Sequence, residues 1–184
     1  MRNYAGPVKI YTRGGDDGTT GLYFGGRVTK SADTIELNGT VDEAQAALGW
    51  ARSMSEPQSR VNELLVHLER DLWILMAEVA TLPENRHKLV AGKSAVTKEM
   101  VTRLEVEIDS LSEEMDVPTA FVVPGDSQLA AALDVARTVV RRAERAAVRA
   151  DWAGTVVAKY LNRLSDLVWA LARWSEGVPH RTAK

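Results

Sequence analysis

The stretch Val61-Asn62-Glu63-Leu64-Leu65-Val66-His67-Leu68-Glu69-Arg70-Asp71-Leu72-Trp73-Ile74-Leu75-Met76-Ala77-Glu78-Val79 decides the fold class. Val61, Leu64, Leu65, Leu68, Leu72, Leu75, Met76 and Val79 recur at intervals of three and four, one wide apolar face of an α-helix. The spacing predicts a helix over 58–81, ended by Pro83. Four more such segments flank it. Thr40-Val41-Asp42-Glu43 fits a capping box, so a first helix is expected from Thr40 to about Ser53. A third is expected over 97–116, with Val101, Leu104, Ile108, Leu111 and Met115 on one stripe. A fourth, rich in Ala and Arg, is expected over 127–150 with Ser127 as its cap. A fifth is expected over 153–175, with Val156, Tyr160, Leu164, Leu167, Val168 and Leu171 inward. Long helices with short links argue for an all-α, five-helix antiparallel bundle. Pro83–Val96 is expected to be a mobile loop. Residues 1–39, rich in Gly, Asp and Thr, show no helical period and read as a segment attached to a 40–175 bundle within one domain, 1–184.

Composition narrows the chemistry. The chain has 184 residues, 45% of them hydrophobic and 26% charged, enough for one well-formed core. A net charge of −2 provides no overall pull toward nucleic acid or an anionic membrane. The absence of cysteine excludes disulfides, thiolate nucleophiles and cysteine-ligated metal centres. No apolar run reaches the roughly 18 residues of a membrane span. Met1–Lys9 lacks the charged-then-apolar pattern of a secretory signal, so a cytoplasmic protein is expected. His67, His87 and His180 have no metal-ligand spacing, and no metal-ligating residue is assigned.

Two stretches stand apart from the bundle pattern. Thr12-Arg13-Gly14-Gly15-Asp16-Asp17-Gly18-Thr19-Thr20-Gly21 combines glycines, whose backbone N–H groups can converge on an anion, with hydroxyl donors. It is neither a P-loop nor a dinucleotide fingerprint, and composition alone also allows a plain hairpin turn. Asp134-Val135-Ala136-Arg137-Thr138-Val139-Val140-Arg141-Arg142-Ala143-Glu144-Arg145 places Arg137, Arg141 and Glu144 on one helical face. Arg142, Arg145 and Arg149 form a second basic row. A solvated basic face explains this pattern, and so does a phosphate-binding one, since guanidinium forks suit phosphate oxygens.

Both stretches together resemble the PduO-type ATP:cob(I)alamin (corrinoid) adenosyltransferase family. The resemblance runs through Lys9-Ile10-Tyr11-Thr12 with Gly15-Asp16-Asp17-Gly18-Thr19-Thr20, then Gly39-Thr40-Val41-Asp42-Glu43, then Phe121-Val122-Val123-Pro124-Gly125. It continues through Ala136-Arg137-Thr138 with Arg141-Arg142-Ala143-Glu144-Arg145, and Tyr160-Leu161-Asn162-Arg163-Leu164-Ser165-Asp166. The resemblance implies a homotrimer with sites between subunits, where cobalt(I) attacks the 5′ carbon of ATP and magnesium-bound triphosphate leaves. It implies a nucleotide site of Thr12, Arg13, Gly14, Gly15, Asp16, Gly18, Thr19, Thr20 and Lys30, completed by Arg141, Arg142, Glu144, Arg145 and Asn162. It further implies that Arg137 and Asp42 pair across the subunit interface and serve catalysis with Arg141. Phe121 is implied to lie beneath the corrin, displacing the lower axial ligand of cobalamin or a related corrinoid.

A cobalamin reductase and an adenosylcobalamin-dependent mutase are the further partners expected, with no nucleic acid and no membrane. Several positions depart from the family pattern. Gly14 stands where Thr or Ser is common, Asp126 where Gly is common, and Asp134 where His is frequent; Ala44 and Gln45 replace Leu-Asn, and Tyr23-Phe24 lengthens the stretch before Gly25-Gly26. The competing reading is a carrier that binds ATP or adenosylcobalamin with little turnover.

Overall fold

The computed structural model describes residues 10–177 and 181–183. Lys9 of the first motif and His180 lie outside them. The chain forms a two-stranded antiparallel hairpin, β1 (Thr19–Gly21) and β2 (Arg27–Thr29), followed by five long helices. These are α1 (Asp33–Arg52), α2 (Arg60–Val79), α3 (Lys98–Glu113), α4 (Gln128–Arg149) and α5 (Val156–Glu176).

Four helix starts follow from local chemistry. Ser59, Thr97, Ser127 and Thr155 each accept a hydrogen bond from the backbone N–H three residues on, satisfying one otherwise orphaned donor. The first helix corrects the expectation of a capping box at Thr40. Helix α1 begins at Asp33, after Ala32, which makes no side-chain cap. Thr40 sits inside it, buried, and its hydroxyl donates to the Glu36 carbonyl. Leu37, Val41, Ala44, Leu48 and Ala51 continue one buried stripe through the supposed boundary, and Asp33 and Glu36 complement the dipole of the first turn.

Pro83–Val96 is also more ordered in form than a plain loop. Pro83–Lys88 makes a 3₁₀ helix, and the Val96 N–H donates to the Glu78 carboxylate at 2.6 Å. Arg86 stacks over the Trp152 ring at 4.3 Å, tying the link to the α4–α5 connection.

Helix directions alternate. Arg60 reaches Glu114 and Arg103 reaches Asp71, so α2 and α3 are antiparallel. Arg163 meets Glu105 and Trp174 meets Glu114, so α5 runs with α3. Arg173 meets Asp134 and Asn162 meets Glu144, so α4 opposes α5. The core is Leu, Val and Ala from all five helices, with Leu37, Leu48, Leu65, Leu72, Leu133 and Leu161 fully buried. Tyr160 is buried within it, and its hydroxyl donates to Asp71 at 3.0 Å, joining α5 to α2. Burial, then the Asp71 charge, pushes that phenol well above its ordinary pKa.

This alternation assigns functional segments to ends. The hairpin sits at the C-terminal end of α2, where the Tyr23 N–H donates to the Ala80 carbonyl. The 114–127 link, with Phe121, lies at the opposite end, beside the start of α4 and the finish of α5. A helix of about 20 residues separates the two by roughly 30 Å.

Candidate active site

The Gly/Thr-rich segment is held by a small polar network. The Thr19 backbone N–H and hydroxyl both donate to Asp17, at 2.9 and 2.8 Å, and keep that carboxyl below its ordinary range. Arg27, from β2, donates to the Thr19 hydroxyl at 3.0 Å and to the Gly14 carbonyl, and pairs with Asp17 at 3.5 Å. The Lys30 N–H donates to the Gly18 carbonyl at 2.9 Å. A Cβ on Gly15 would approach Lys30 Nζ to 3.1 Å and the Thr19 carbonyl to 3.2 Å, so glycine there lets the chain close over the lysine. Gly14 is different: a Cβ would meet only the Thr12 hydroxyl, at 3.6 Å, so a serine or threonine would fit. The structure thus brings Gly14, Gly15, Gly18, Thr19 and Lys30 together. It makes the segment a hairpin, with Thr12, Arg13 and Asp16 exposed on its lead-in turn. Thr20 lies in β1, paired with Val28.

The arginine row lies on α4. Arg141, Arg142 and Arg145 are exposed on α4, while Ala136, Val140, Ala143 and Ala147 pack beneath them. Glu144 accepts from the Asn162 side-chain amide at 3.0 Å, and Arg163 donates to Oδ1 of that amide at 2.7 Å while pairing with Glu105. That carboxylate–amide–guanidinium chain fixes the orientation of Asn162 across the α4–α5 seam. Asp166 stands beside it, its carboxyl raised by burial and pulled back by Arg163 and then Arg141. Arg142 pairs with Glu43 of α1. Among the described residues, no hydrogen bond or ion pair joins segment 12–30 to α4. The two halves of the expected nucleotide site therefore make no direct polar contact within one chain.

The remaining expected residues occupy two further places. Asp42 is exposed on α1, along a groove between α1 and α2 that also includes Trp73. Arg137 does not meet Asp42 in the same chain; its Nε pairs with Asp134 at 3.2 Å. Phe121 is 88% exposed on the rim of a cavity of about 450 Å³ that Asp134, Arg137, Trp169 and Arg173 also line. The tail returns to this loop: the Val123 N–H donates to the Arg181 carbonyl and the Ala183 N–H to the Phe121 carbonyl, both at 2.8 Å. Arg181 also pairs with Asp126 at 3.2 Å.

Three residues that sequence reasoning passed over take part here. Arg27 was hidden by its place outside the glycine motif. Arg163 adjoins Asn162 in the last motif and was legible as a neighbour. Arg173 carried no spacing signal, because its partner Asp134 is 39 positions away.

The description of the cobalamin adenosyltransferase family matches residues 10–175. A corrinoid adenosyltransferase of Mycobacterium tuberculosis is 42% identical over 173 residues, spanning 90% of this chain and 88% of that one. The corrinoid adenosyltransferase of Bacillus subtilis is 36% identical over 173 residues, spanning 90% and 86%. A variant PduO-type ATP:corrinoid adenosyltransferase from Lactobacillus reuteri, solved in complex with cobalamin and ATP, superimposes with a TM-score of 0.84. It is 28% identical, and the match covers 96% of this chain and 99% of that one.

Proposed function

This chain belongs to the cobalamin adenosyltransferase family, and from that premise we propose how its residues divide the work of adenosylating a corrinoid. The reaction transfers the 5′-deoxyadenosyl group of ATP to cob(I)alamin. A cobalt–carbon bond forms at the 5′ carbon as the bond from that carbon to the triphosphate oxygen breaks. The observation that carries this reading is the family match over residues 10–175, which takes in both the hairpin and the arginine helix.

Cobalt(I) is itself a strong nucleophile, so the protein's part is alignment and stabilisation of charge on the leaving triphosphate. Thr12, Arg13, Gly14, Gly15, Asp16, Gly18, Thr19, Thr20 and Lys30 supply the hairpin half of the nucleotide site. Arg141, Arg142, Glu144, Arg145 and Asn162 supply the helical half, in which the exposed guanidinium forks of the three arginines suit phosphate oxygens. The lack of direct polar contact between the halves in one chain supports a site assembled between subunits of a homotrimer, with Asp42 of one subunit meeting Arg137 of the next. Phe121, exposed at the cavity rim, faces the corrinoid. Among the described residues no three His, Cys, Asp or Glu side chains gather into a metal cage. Magnesium would be held chiefly by the triphosphate oxygens, which suit a hard divalent cation. No described helix is long and apolar enough to cross a membrane. A cytoplasmic site of action, a reductase supplying cobalt(I) and a mutase receiving the product complete the reading.

The deciding experiment is anaerobic. Reduced cobalamin, magnesium-ATP and purified protein are expected to give the visible spectrum of adenosylcobalamin. Arg141→Ala is expected to lower the rate on the order of 10²–10³-fold, the effect of removing one charge-stabilising donor, with folding unchanged because Arg141 is exposed. ATP binding by an oligomer with no spectral change would favour the carrier instead.

A further inference from the structure

Arg173 is the bulkiest fully buried side chain described, at 1% exposure. A guanidinium keeps its proton under any ordinary condition, so it is buried only with carboxylates around it. Its NH2 group meets Asp134 Oδ2 at 2.6 Å, and its Nε meets Glu176 Oε2 at 3.0 Å. Those contacts neutralise the Arg173 charge. Asp134 does something more: its second oxygen, Oδ1, accepts from Nε of Arg137 one turn further along α4, at 3.2 Å. The result is a line of alternating charge, Glu176–Arg173–Asp134–Arg137. It starts in the protein interior and ends on a half-buried arginine lining the cavity below Phe121.

We propose that Asp134 and Arg173 are positioning residues that hold the Arg137 guanidinium in one orientation at the cavity wall. The consequence for catalysis rests on the adenosyltransferase reading given above. An arginine side chain has many rotamers, and an exposed arginine on a helix samples them. Here Asp134 occupies Nε and leaves the two terminal NH2 groups for a further acceptor. Asp134 cannot swing away, because its other oxygen is locked to an arginine that is itself walled in. The geometry presets the fork of Arg137 for an oxygen presented across the cavity or across a subunit boundary. Such pre-orientation acts through rate, since a misplacement of about 1 Å is enough to cost on the order of 100-fold.

The test is Asp134→Asn, assayed beside Arg137→Ala, the double variant, and Asp71→Asn as a control. Asp71 is another buried carboxylate, bonded to Tyr160 and Arg103 and remote from the cavity. Asp134→Asn is expected to lower kcat at least about 10-fold with little change in KM for ATP. The double variant is expected to be no worse than Arg137→Ala alone. Asp71→Asn is expected to lower Tm but leave kcat and KM unchanged. Should Asp134→Asn not fold, Arg173→Lys, which keeps the charge and loses the fork, is expected to show the same split to a smaller degree. Equal kcat for Asp134→Asn and wild type, or losses that multiply in the double variant, would overturn the proposal. A second readout is independent of turnover: hydrogen exchange at the Arg137 Nε–H, followed by NMR. Slow exchange in wild type that becomes fast in Asp134→Asn supports the positioning role even if no adenosylcobalamin forms, in which case only the adenosyltransferase reading fails. Unchanged exchange refutes positioning whatever the activity.

Discussion

Arg27 and Arg173 are both held by carboxylates, in surroundings that differ in nearly every other respect. The Arg27 side chain is 49% exposed and its partner Asp17 is 65% exposed, and the network around them reaches no further than Gly14 and Thr19. Arg173 and Asp134 are 1% and 7% exposed and tie the end of α5 to the start of α4. An exposed pair contributes between nothing and about 1 kcal/mol, because water and salt screen it. A buried pair contributes little relative to well-packed apolar groups, yet removing one member strands the other. The hairpin can therefore be rearranged around a ligand at small expense, while the α4–α5 seam serves as its rigid counterpart. A site that must admit two large substrates and then align them has use for both.

The comparison is tested first where the effect is largest. Arg173→Met leaves Asp134 and Glu176 buried without their guanidinium and is expected to destabilise the fold by about 3–5 kcal/mol in urea denaturation. A loss below about 1 kcal/mol would mean that the seam is as compliant as the hairpin. Next, Arg27→Ala is expected to leave stability within about 0.5 kcal/mol of wild type. It should weaken ATP binding about tenfold, because one charge-assisted donor contributes on the order of 1.5 kcal/mol. Titration calorimetry beside thermal melting reads both quantities, and a Tm loss without an affinity loss would reverse the assignment.

The smallest effect concerns Asp166. Burial raises its folded-state pKa above the ordinary 3.8, against the pull of Arg163 and Arg141. A carboxyl raised on folding adds stability when protonated, and that contribution is lost as pH climbs from the ordinary value through the raised one. Asp166→Asn is expected to remove this small decline. Arg141→Ala is expected to raise the Asp166 pKa further, read by carbon NMR titration. No change would place Arg141 too far away to act on the seam.

Helix identity was legible wherever one apolar face repeats over many turns. Helices α2 through α5 lie within three residues of their expected limits, and Ser127 caps α4 as its side-chain chemistry requires. The start of α1 was misread because Thr40-Val41-Asp42-Glu43 satisfies the local rules for a cap. Burial of Leu37 and Val41 on one stripe overrides that local preference and extends the helix back to Asp33. In the candidate site, ordered motifs point to Gly15, Thr19, Arg141, Glu144 and Asn162. They do not point to Arg27 or Arg173, since each acts through partners far away in sequence.

The sequence by itself determined the all-helical class, the core stripes, most helix ends and the family, because each depends on residues within a few turns or on ordered motifs. Tertiary structure alone decided that the hairpin and the Phe121 loop stand at opposite ends of the bundle. It also decided that Asp134 bridges two arginines and that Arg173, rather than a leucine, fills the seam. The physical reason is range. Helix periodicity and capping are local, whereas the partner that makes a buried charge tolerable is chosen by how helices pack, and here it lies 39 residues away.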